Sequence, residues 1–444
     1  MAPPTPAMQP GRRQQWHINR RALAALVSGR PRYFRALTTT AQVVALYSRA
    51  WPLGADARER AHAVAAQRVA ELCRRNGGLW TKAAQFFSSR SDLLPPVYIE
   101  ALQTLQNDAA PVAFAQLKPV LRSAYGPGWQ QLFSFIDEAP VATASIAQVH
   151  RAVLASGEAV ALKVRLPAVE KVFEQDARVF RLLARWLSPL VRVLDVVQVT
   201  EHLLAMTEEE LDLRHEAHNL QRFARLEQVE GICVPTLVPE LSKAQVMVTH
   251  WLAGQRLREF LDAHPAHAPL LLGRLLDSYV QQVTRYGLYH ADPHPGNFIV
   301  TPDGTLAILD FGAVGRLTAP EVQRYSRLLF GLLALGLEQD QPSDEEIDAL
   351  GQLFVDAGFE GGDPATLREL SRYVLTDRMQ RQAPLASMGD LMERFREARI
   401  RIPDSYIGIS RVLITLGGFL MQYQVPLTWQ ASVAPGAGSK RPLQ

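Results

Sequence analysis

Two oxygen-bearing side chains flank a segment with the pattern of a β-hairpin. Asn297 precedes a pair of apolar arms around the turn signal Pro302-Asp303-Gly304, and Asp310 follows them. An antiparallel hairpin of this length returns the chain beside its start, so we expect Asn297 and Asp310 to lie close together. A carboxylate beside an amide oxygen suits Mg²⁺, which also holds the phosphates of substrates. The spacing therefore predicts a magnesium site with these two residues as ligands.

Asp292 lies five positions before Asn297. This is the Asp-to-Asn spacing of the kinase catalytic loop, in which the Asp orients or deprotonates the attacking hydroxyl. The residues Leu309-Asp310-Phe311-Gly312 add the Asp-Phe-Gly motif of the same class of site. An Asp-Pro turn and a chance Asp-Phe-Gly could explain each feature alone. Their joint occurrence around one hairpin favours phosphoryl transfer.

A zinc site is the alternative explanation for the same segment, with His290, Asp292 and His294 as ligands. Imidazoles four residues apart suit zinc when a helix carries them. Pro293 and Pro295 disfavour a helix here. We therefore predict that His290 orients the loop through hydrogen bonds to the backbone.

Lys163 is the candidate contact for nucleotide phosphates. Only six of the 47 basic residues are lysines, so an ordinary surface position would predict Arg here. Val160-Ala-Leu-Lys163 matches the V-A-I-K strand, whose lysine contacts the α- and β-phosphates and pairs with a helical Glu.

The loop before this hairpin lies where a kinase carries glycines that let the backbone approach phosphates. No glycine occurs between Val141 and Ser156, and alanine disfavours positive φ. We predict that the loop takes part in nucleotide binding in a different way from a Gly-rich loop. Its residues are Ala142, Thr143, Ala144, Ser145, Ile146 and Ala147.

The elements that position these residues are mostly helices around small sheets. Helical periodicity covers about Ala36 to Leu121, and period-two patterns at 148–154 and 159–165 predict a hairpin. Helices are predicted again over about 168–228, a strand over 244–250, and a mostly helical chain beyond. This order predicts an α+β layout.

Composition excludes several classes of protein. The 444 residues carry 47 Lys+Arg and 44 Asp+Glu, and this near balance gives nucleic-acid binding no support. Two cysteines exclude a disulfide framework and a four-cysteine zinc site. No run is long and apolar enough to predict a membrane span or a secretory signal, so we expect a cytoplasmic location. The apolar segment 186–199 fits either a core or peripheral contact with a membrane or partner.

Four motifs together resemble the UbiB/AarF family of atypical protein-kinase-like proteins, over about Leu79 to Tyr423. They are the Ala-rich loop, the VALK strand, an acidic helix at 210–219, and the pair HADPHPGN and LDFG. The resemblance implies a two-lobed protein-kinase-like fold with an N-terminal helical extension. The expected divisions are a disordered tail (1–34), the extension (35–132), a small lobe (133–253), a large lobe (254–430) and a second tail (431–444).

The resemblance also implies regulatory contacts. In the family, an N-terminal K-x-G-Q motif packs over the active site and meets the first Glu and Asp of the acidic helix. Carried over, Lys82 and Gln85 stand in that motif and Glu210 and Asp212 are the acidic pair. Residues i and i+2 diverge by about 200° on a regular helix. If both carboxylates are to reach one ammonium, we therefore expect the segment to lie at a helix start or a bend, or Lys82 to enter between the two.

Two further assignments follow from the same resemblance. The later Glu of the acidic helix pairs with the strand lysine in the family, which makes Glu216 the expected partner of Lys163. The motif glycine is replaced by Ala84, a better helix former by about 1 kcal/mol. The helix should therefore persist, while the added methyl group could loosen the packing against the nucleotide pocket.

The predicted function is that of an ATP-binding, Mg²⁺-dependent atypical kinase or ATPase that supports isoprenoid quinone or lipid metabolism. Its expected partners are a nucleotide and enzymes of a lipid or quinone pathway. Only Ala313–Leu317 separates Gly312 from the next helix signal, which leaves no room for a peptide-binding segment. A small-molecule phosphotransferase, which has no need of the Lys82 motif, and a nucleotide-binding scaffold without turnover stay open as alternatives.

Overall fold

A computed structural model describes residues 29–88, 94–105, 111–189, 195–336, 342–376 and 388–425. The predicted tail at 431–444 and residues 190–194 of the apolar segment lie outside this range, as does most of the tail predicted for 1–34. A helix begins at Gly29, and Arg32 on it is only 2% exposed. The described structure therefore starts earlier than residue 34.

The chain forms two compact units. The first contains the described residues of Met1–Ser88, Leu93–His215 and Leu237–Trp251. The second contains those of Glu216–Thr236 and Leu252–Gln444.

Helices make up the first part of the first unit. They are α1 (Gly29–Ala50), α2 (Ala55–Asn76), α3 (Leu79–Ser88), α4 (Pro96–Gln103), α5 (Phe114–Tyr125), α6 (Val169–Leu187) and α7 (Val196–Glu210). Helix α8 (Leu213–Ala224) begins in the first unit and continues into the second. A buried ion pair between Arg32 on α1 and Asp176 on α6 ties the helices together, and Arg32 also donates to the carbonyl of Asn76.

The sheet of the first unit contains the predicted hairpin. Its strands are β1 (Phe133–Ile136), β2 (Ala142–Thr143), β3 (Ala147–Leu154), β4 (Ala159–Arg165) and β6 (Val246–His250). They pair antiparallel in the order β1-β3-β4-β6, with β2 added to β3. Leu162 and Val164 on β4 are completely buried in a core shared with α5. Side chains alternate along a strand, so Lys163 lies on the opposite face.

The second unit contains two smaller sheets and several helices. Strands β5 (Ile232–Cys233), β7 (Gln255–Arg256), β9 (Phe298–Val300) and β10 (Leu306–Ile308) pair in the order β5-β10-β9-β7, and β8 (Leu288–His290) pairs with β11 (Val314–Arg316). Its later helices are α9 (Leu257–Ala263), α10 (Ala268–Gln281), α11 (Ala319–Gly336), α12 (Asp344–Asp356), α13 (Pro364–Thr376), α14 (Met388–Glu397) and α15 (Asp404–Gln422).

Helices packed around mostly antiparallel sheets confirm the predicted α+β class. Within the described ranges, none of the helices has the length and apolar character needed to cross a bilayer.

Candidate functional site

The hairpin formed by β9 and β10 brings Asn297 and Asp310 together, as predicted. The strands pair antiparallel, with Phe298 opposite Ile308. The pairing extends one step further, because the Leu309 N–H donates to the Asn297 carbonyl over 2.7 Å. Asp310 therefore directly follows Leu309, the residue that is hydrogen-bonded to Asn297.

Asn297 is also bound to Asp292. Its side-chain nitrogen donates to Asp292 Oδ2 over 3.1 Å and to the Asp292 carbonyl over 3.0 Å. With the donor end of the amide engaged in this way, its oxygen is the end available to a cation. The amide oxygen of Asn297 and the carboxylate of Asp310 are hard oxygen ligands of the kind that Mg²⁺ prefers, so the residues present fit this metal.

Asp310 has a backbone conformation that few residues other than glycine adopt. Its φ is 56°, in the left-handed region, where Asp is better tolerated than most residues. Its Oδ1 accepts the Gly312 N–H over 3.1 Å. Backbone conformations of this kind cluster at functional sites, and the hydrogen bond from Gly312 holds one oxygen of the Asp310 carboxylate.

His290 holds the catalytic segment and the Asp-Phe-Gly segment together, which confirms its predicted role. The residue is completely buried, and its Nε2 contacts the carbonyl oxygens of Asp310 (2.7 Å) and Leu309 (3.1 Å). Its Nδ1 lies 3.1 Å from the hydroxyl of Tyr279. Both ring nitrogens are thus used within the protein. Among the described residues, no group of three or more His, Cys, Asp or Glu is arranged to hold a metal.

Phe311 anchors the Asp-Phe-Gly segment in the core of the second unit. It is 1% exposed and packs against Phe223, with ring centroids 4.9 Å apart. Asn219 on α8 donates to the Phe311 carbonyl over 3.1 Å. No role is predicted for Asn219 from the sequence motifs.

The loop at 142–147 forms a turn without glycine. The Ala144 N–H donates to the Ala147 carbonyl over 2.8 Å, and β2 pairs with β3 through Thr143 and Gln148. None of the six loop residues has positive φ. The loop is therefore an ordinary tight turn, consistent with the prediction that it differs from a Gly-rich loop.

A buried polar chain supports this loop from β3. His150 is completely buried, and its Nδ1 donates to the Asp137 carbonyl over 2.9 Å. Its Nε2 faces the Gln148 side-chain nitrogen at 3.3 Å. Gln148 in turn bonds both main-chain groups of Val112. Burial lowers the pKa of His150 below its ordinary value, so the neutral ring is favoured.

The predicted contact between Lys82 and Glu210 is present within the first unit. Lys82 Nζ lies 2.6 Å from Glu210 Oε2, and the two side chains are 26% and 22% exposed. Helix α7 ends at Glu210 and α8 begins at Leu213, which confirms the expected break between Glu210 and Asp212. Gln85 lies on the same helix as Lys82 and is half-buried.

Asp212 forms an ion pair with Arg214. Arg214 holds it through a two-pronged pair, with the closest atoms 2.6 Å apart, and this contact lowers the pKa of Asp212. Asp212 also accepts the Arg214 N–H and so caps the start of α8.

Ala84 is 1% exposed and belongs to a hydrophobic core among the helices of the first unit, with Ala66, Ala70 and Leu102. Its methyl group is therefore part of this helical packing.

Glu216 is 6% exposed and is the first residue of α8 that belongs to the second unit. Lys163 is half-buried on β4 of the first unit. Their pairing stays a prediction, as do the roles of all the site residues.

Arg411 is a site residue that the sequence analysis missed. Its Nη2 lies 3.4 Å from Asp292 Oδ1, although the two residues are 119 positions apart. No local motif marks Arg411, because its relation to Asp292 depends on where α15 packs.

The site combines features of an atypical protein kinase. They are the Asp292–Asn297 pair, Asp310 at the end of the hairpin, and the Ala-rich turn before the strand that carries Lys163. The model of the ABC1 atypical kinase-like domain matches residues 104–339. The chain belongs to this family, which confirms the resemblance to UbiB and AarF proteins.

The chain is similar to several named relatives. It is 30% identical over 378 residues to an uncharacterized chloroplastic aarF domain-containing protein kinase of Arabidopsis thaliana, covering 82% of this chain and 52% of the relative. It is 33% identical over 298 residues to a protein of Aliivibrio fischeri named probable protein kinase UbiB, covering 65% and 53%. The chain thus spans about half the length of these curated relatives.

A solved structure shows the same fold. The Mycobacterium tuberculosis protein Rv3197, described in complex with erythromycin, is 27% identical and superposes with a TM-score of 0.55, covering 77% of this chain and 88% of that one. This match and the family together establish the kinase-like fold.

Proposed function

We propose that this protein binds ATP with Mg²⁺ and transfers the γ-phosphoryl group to an acceptor hydroxyl or to water. One observation carries the proposal. Asn297 is bonded through its side chain to Asp292 and through its carbonyl to the N–H that precedes Asp310. The residue proposed to orient the nucleophile and the two proposed to hold the metal thus lie on one short stretch of the second unit.

The reaction assigns a role to each of these groups. The acceptor oxygen forms a bond to the γ-phosphorus while the bond from that phosphorus to the bridging oxygen breaks, and ADP leaves with the electron pair. Asp292 orients the acceptor and takes its proton. Asn297 and Asp310 would hold Mg²⁺, which when bound offsets the negative charge on the phosphates.

The nucleotide contacts are proposed from the family. Lys163 would meet the α- and β-phosphates, with Glu216 orienting it, and the turn at 142–147 would offer main-chain N–H groups. The ordinary backbone angles of that turn support a mode of binding that does not need glycine.

Two features favour an ATPase or a small acceptor over a peptide kinase. After Gly312 the chain enters β11 at once, pairs with β8, and begins α11 at Ala319. This leaves no separate segment to bind a peptide. The Lys82–Glu210 contact matches the UbiB type and is not needed by small-molecule phosphotransferases.

The pathway we propose is isoprenoid quinone or lipid metabolism, supported by the UbiB name of relatives that are 33% identical. Untargeted lipid and metabolite profiling of a deletion strain, complemented with wild type or Asp292→Asn, tests this. Loss of a quinone or lipid species that only the wild type restores is the expected result. An unchanged lipid and quinone profile would argue against the pathway.

Phosphate release from MgATP by the purified full chain tests the chemistry. Wild type should turn over and Asp292→Asn should lose at least about a hundredfold in rate, the range of a general base. The matched control is Asp303→Asn, because Asp303 lies in the turn of the same hairpin and is bonded to Thr301 and Thr305. Nucleotide binding without any turnover would instead favour the scaffold function.

A further inference from the structure

Helix α15 presents one cation to the candidate catalytic carboxylate. Arg411 Nη2 lies 3.4 Å from Asp292 Oδ1, while Asn297 donates to the other oxygen, Oδ2, over 3.1 Å. The two oxygens of one carboxylate are therefore held from two sides, one by a neighbour in the loop and one by a distant helix.

A close approach of α15 to strand β8 fixes the register of this contact. A Cβ built on Gly408, one turn before Arg411, would clash with the hydroxyl oxygen of Tyr289. A Cβ built on Gly315 would clash with the ring carbon Cζ of Tyr289. Tyr289 thus packs between two glycines. Gly408 and Arg411 are three residues apart on α15, so they lie on one face of the helix. Gly408 contacts Tyr289, and Arg411 contacts Asp292, which lies three residues after Tyr289.

The exposure of the pair argues against a purely structural role. Both side chains are 41% exposed, and ion pairs this exposed add little to the stability of a protein. Rotation about the last side-chain bond of an Asp is soft, so an Asp that must aim one oxygen at a nucleophile needs an external constraint. A guanidinium supplies that constraint because its donors lie in a rigid plane.

We propose that Arg411 is a positioning residue for Asp292, which keeps this carboxylate aimed at the nucleophile during phosphoryl transfer. The proposal rests on the proposed function. Arg411 acts through Asp292, and α15 thereby contributes to the function of the catalytic loop.

A double-mutant cycle in MgATP turnover by the full chain tests this. Arg411→Ala should lower kcat by about tenfold to a hundredfold, the range for misplaced catalytic groups, with KM for MgATP unchanged. In an Asp292→Asn background the same substitution should change kcat by less than about twofold, since residues acting as one unit are not additive. Losses that multiply in the double variant would overturn the proposal, because Arg411 would then act on the substrate by itself.

Two measurements separate positioning from folding. Free guanidinium ion at millimolar concentration should restore part of the kcat of Arg411→Ala in a saturable way, and Arg411→Lys should retain more activity than Arg411→Ala. The matched control is Arg372→Ala, which breaks an exposed pair of the same kind (Arg372 Nη2 to Asp344 Oδ1, 3.3 Å) and should leave kcat unchanged. A loss of kcat in the control equal to that of Arg411→Ala would contradict the proposal.

A second pair of variants tests the register without touching the cation. Gly408→Ala should lower kcat because the new methyl group displaces α15 from Tyr289. Gly418→Ala on the same helix, where a Cβ meets nothing within 4 Å, should retain full kcat. Equal kcat in the two would overturn the proposal. If wild type shows no turnover, the proposed function fails and this inference with it, whereas full turnover in Arg411→Ala overturns the inference alone.

Discussion

His290 Nε2 donates to the main-chain carbonyl of Asp310 over 2.7 Å, and His290 has no exposed surface. On the other side of the ring, Nδ1 meets the hydroxyl of Tyr279. Burial raises the pKa of Tyr279 well above its usual range, so this hydroxyl keeps its proton and can donate it. One imidazole therefore joins the segment that contains Asp292, the segment that contains Asp310 and helix α10.

Replacement of His290 should damage both stability and the site. We expect His290→Ala to lose about 3 kcal/mol of unfolding free energy, because it opens a cavity and leaves buried carbonyls unpaired. Nucleotide-induced stabilisation should fall as well, since Asp310 loses its support. Thermal unfolding with and without MgATP measures both effects. His267→Ala, at an exposed position, is the control, and a melting temperature for His290→Ala equal to this control would refute the role.

Removal of the Lys82 ammonium should change how the site is regulated. We expect Lys82→Ala to alter nucleotide affinity or to permit autophosphorylation, with the fold retained, because Glu210 loses its 2.6 Å partner. Nucleotide titration and incorporation of labelled phosphate measure these outcomes.

The matched control for this test is Lys118→Ala, which breaks a more exposed pair with Glu138 at 3.5 Å in the same unit. The control should behave as wild type. If Lys82→Ala also binds nucleotide as wild type does and remains unphosphorylated, the regulatory role of the contact is wrong.

Glu216 should matter for nucleotide binding without contacting a phosphate. We predict that Glu216→Ala weakens ATP binding about tenfold, because Lys163 loses the carboxylate that orients it. Calorimetric titration measures the affinity. Glu209→Ala, an exposed carboxylate on the preceding helix, should bind as wild type, and equal affinities in both variants would contradict the pairing.

Acid should destabilise the protein through His150. The pKa of this residue is lowered in the folded state, mainly by burial, so between that pKa and the ordinary value of about 6.5 the unfolded chain binds more protons. Its contribution to stability is therefore complete above pH 6.5 and is lost as the pH falls below it.

The measurement is the loss of unfolding free energy between pH 7.5 and 5.5. Wild type should lose more than His150→Asn, whose amide can still donate to the Asp137 carbonyl but cannot be protonated. An equal loss in the two proteins would show that His150 does not titrate differently on folding.

Local sequence signals were sufficient for much of the site. The turn signal Pro302-Asp303-Gly304 and its apolar arms fix the hairpin, so the proximity of Asn297 and Asp310 follows from neighbours along the chain. Pro293 and Pro295, which flank His294, were enough to favour a backbone-binding role for His290 over a zinc site. These features depend on short-range geometry that residue type and spacing encode directly.

Contacts made by distant helices could not be predicted in the same way. Arg32 meets Asp176 across 144 residues, and Arg411 meets Asp292 across 119. Neither arginine stands out among 47 basic residues, because such pairs depend on how whole helices pack. The close approach of Gly408 to Tyr289 is equally invisible in the sequence, where Gly408 is an ordinary small residue in an apolar helix.

Nucleotide-induced thermal shift of Asp310→Asn, with and without Mg²⁺, tests the central claim most directly. Asparagine tolerates the positive φ of this position, so the variant should keep the backbone and lose only the charge. A ligand that binds the folded state raises its stability. We predict that MgATP stabilises wild type and Asp303→Asn more than ATP with EDTA does, and that Asp310→Asn loses this Mg²⁺-dependent difference. A Mg²⁺-dependent shift in Asp310→Asn equal to that of wild type would contradict the assignment of Asp310 to the metal.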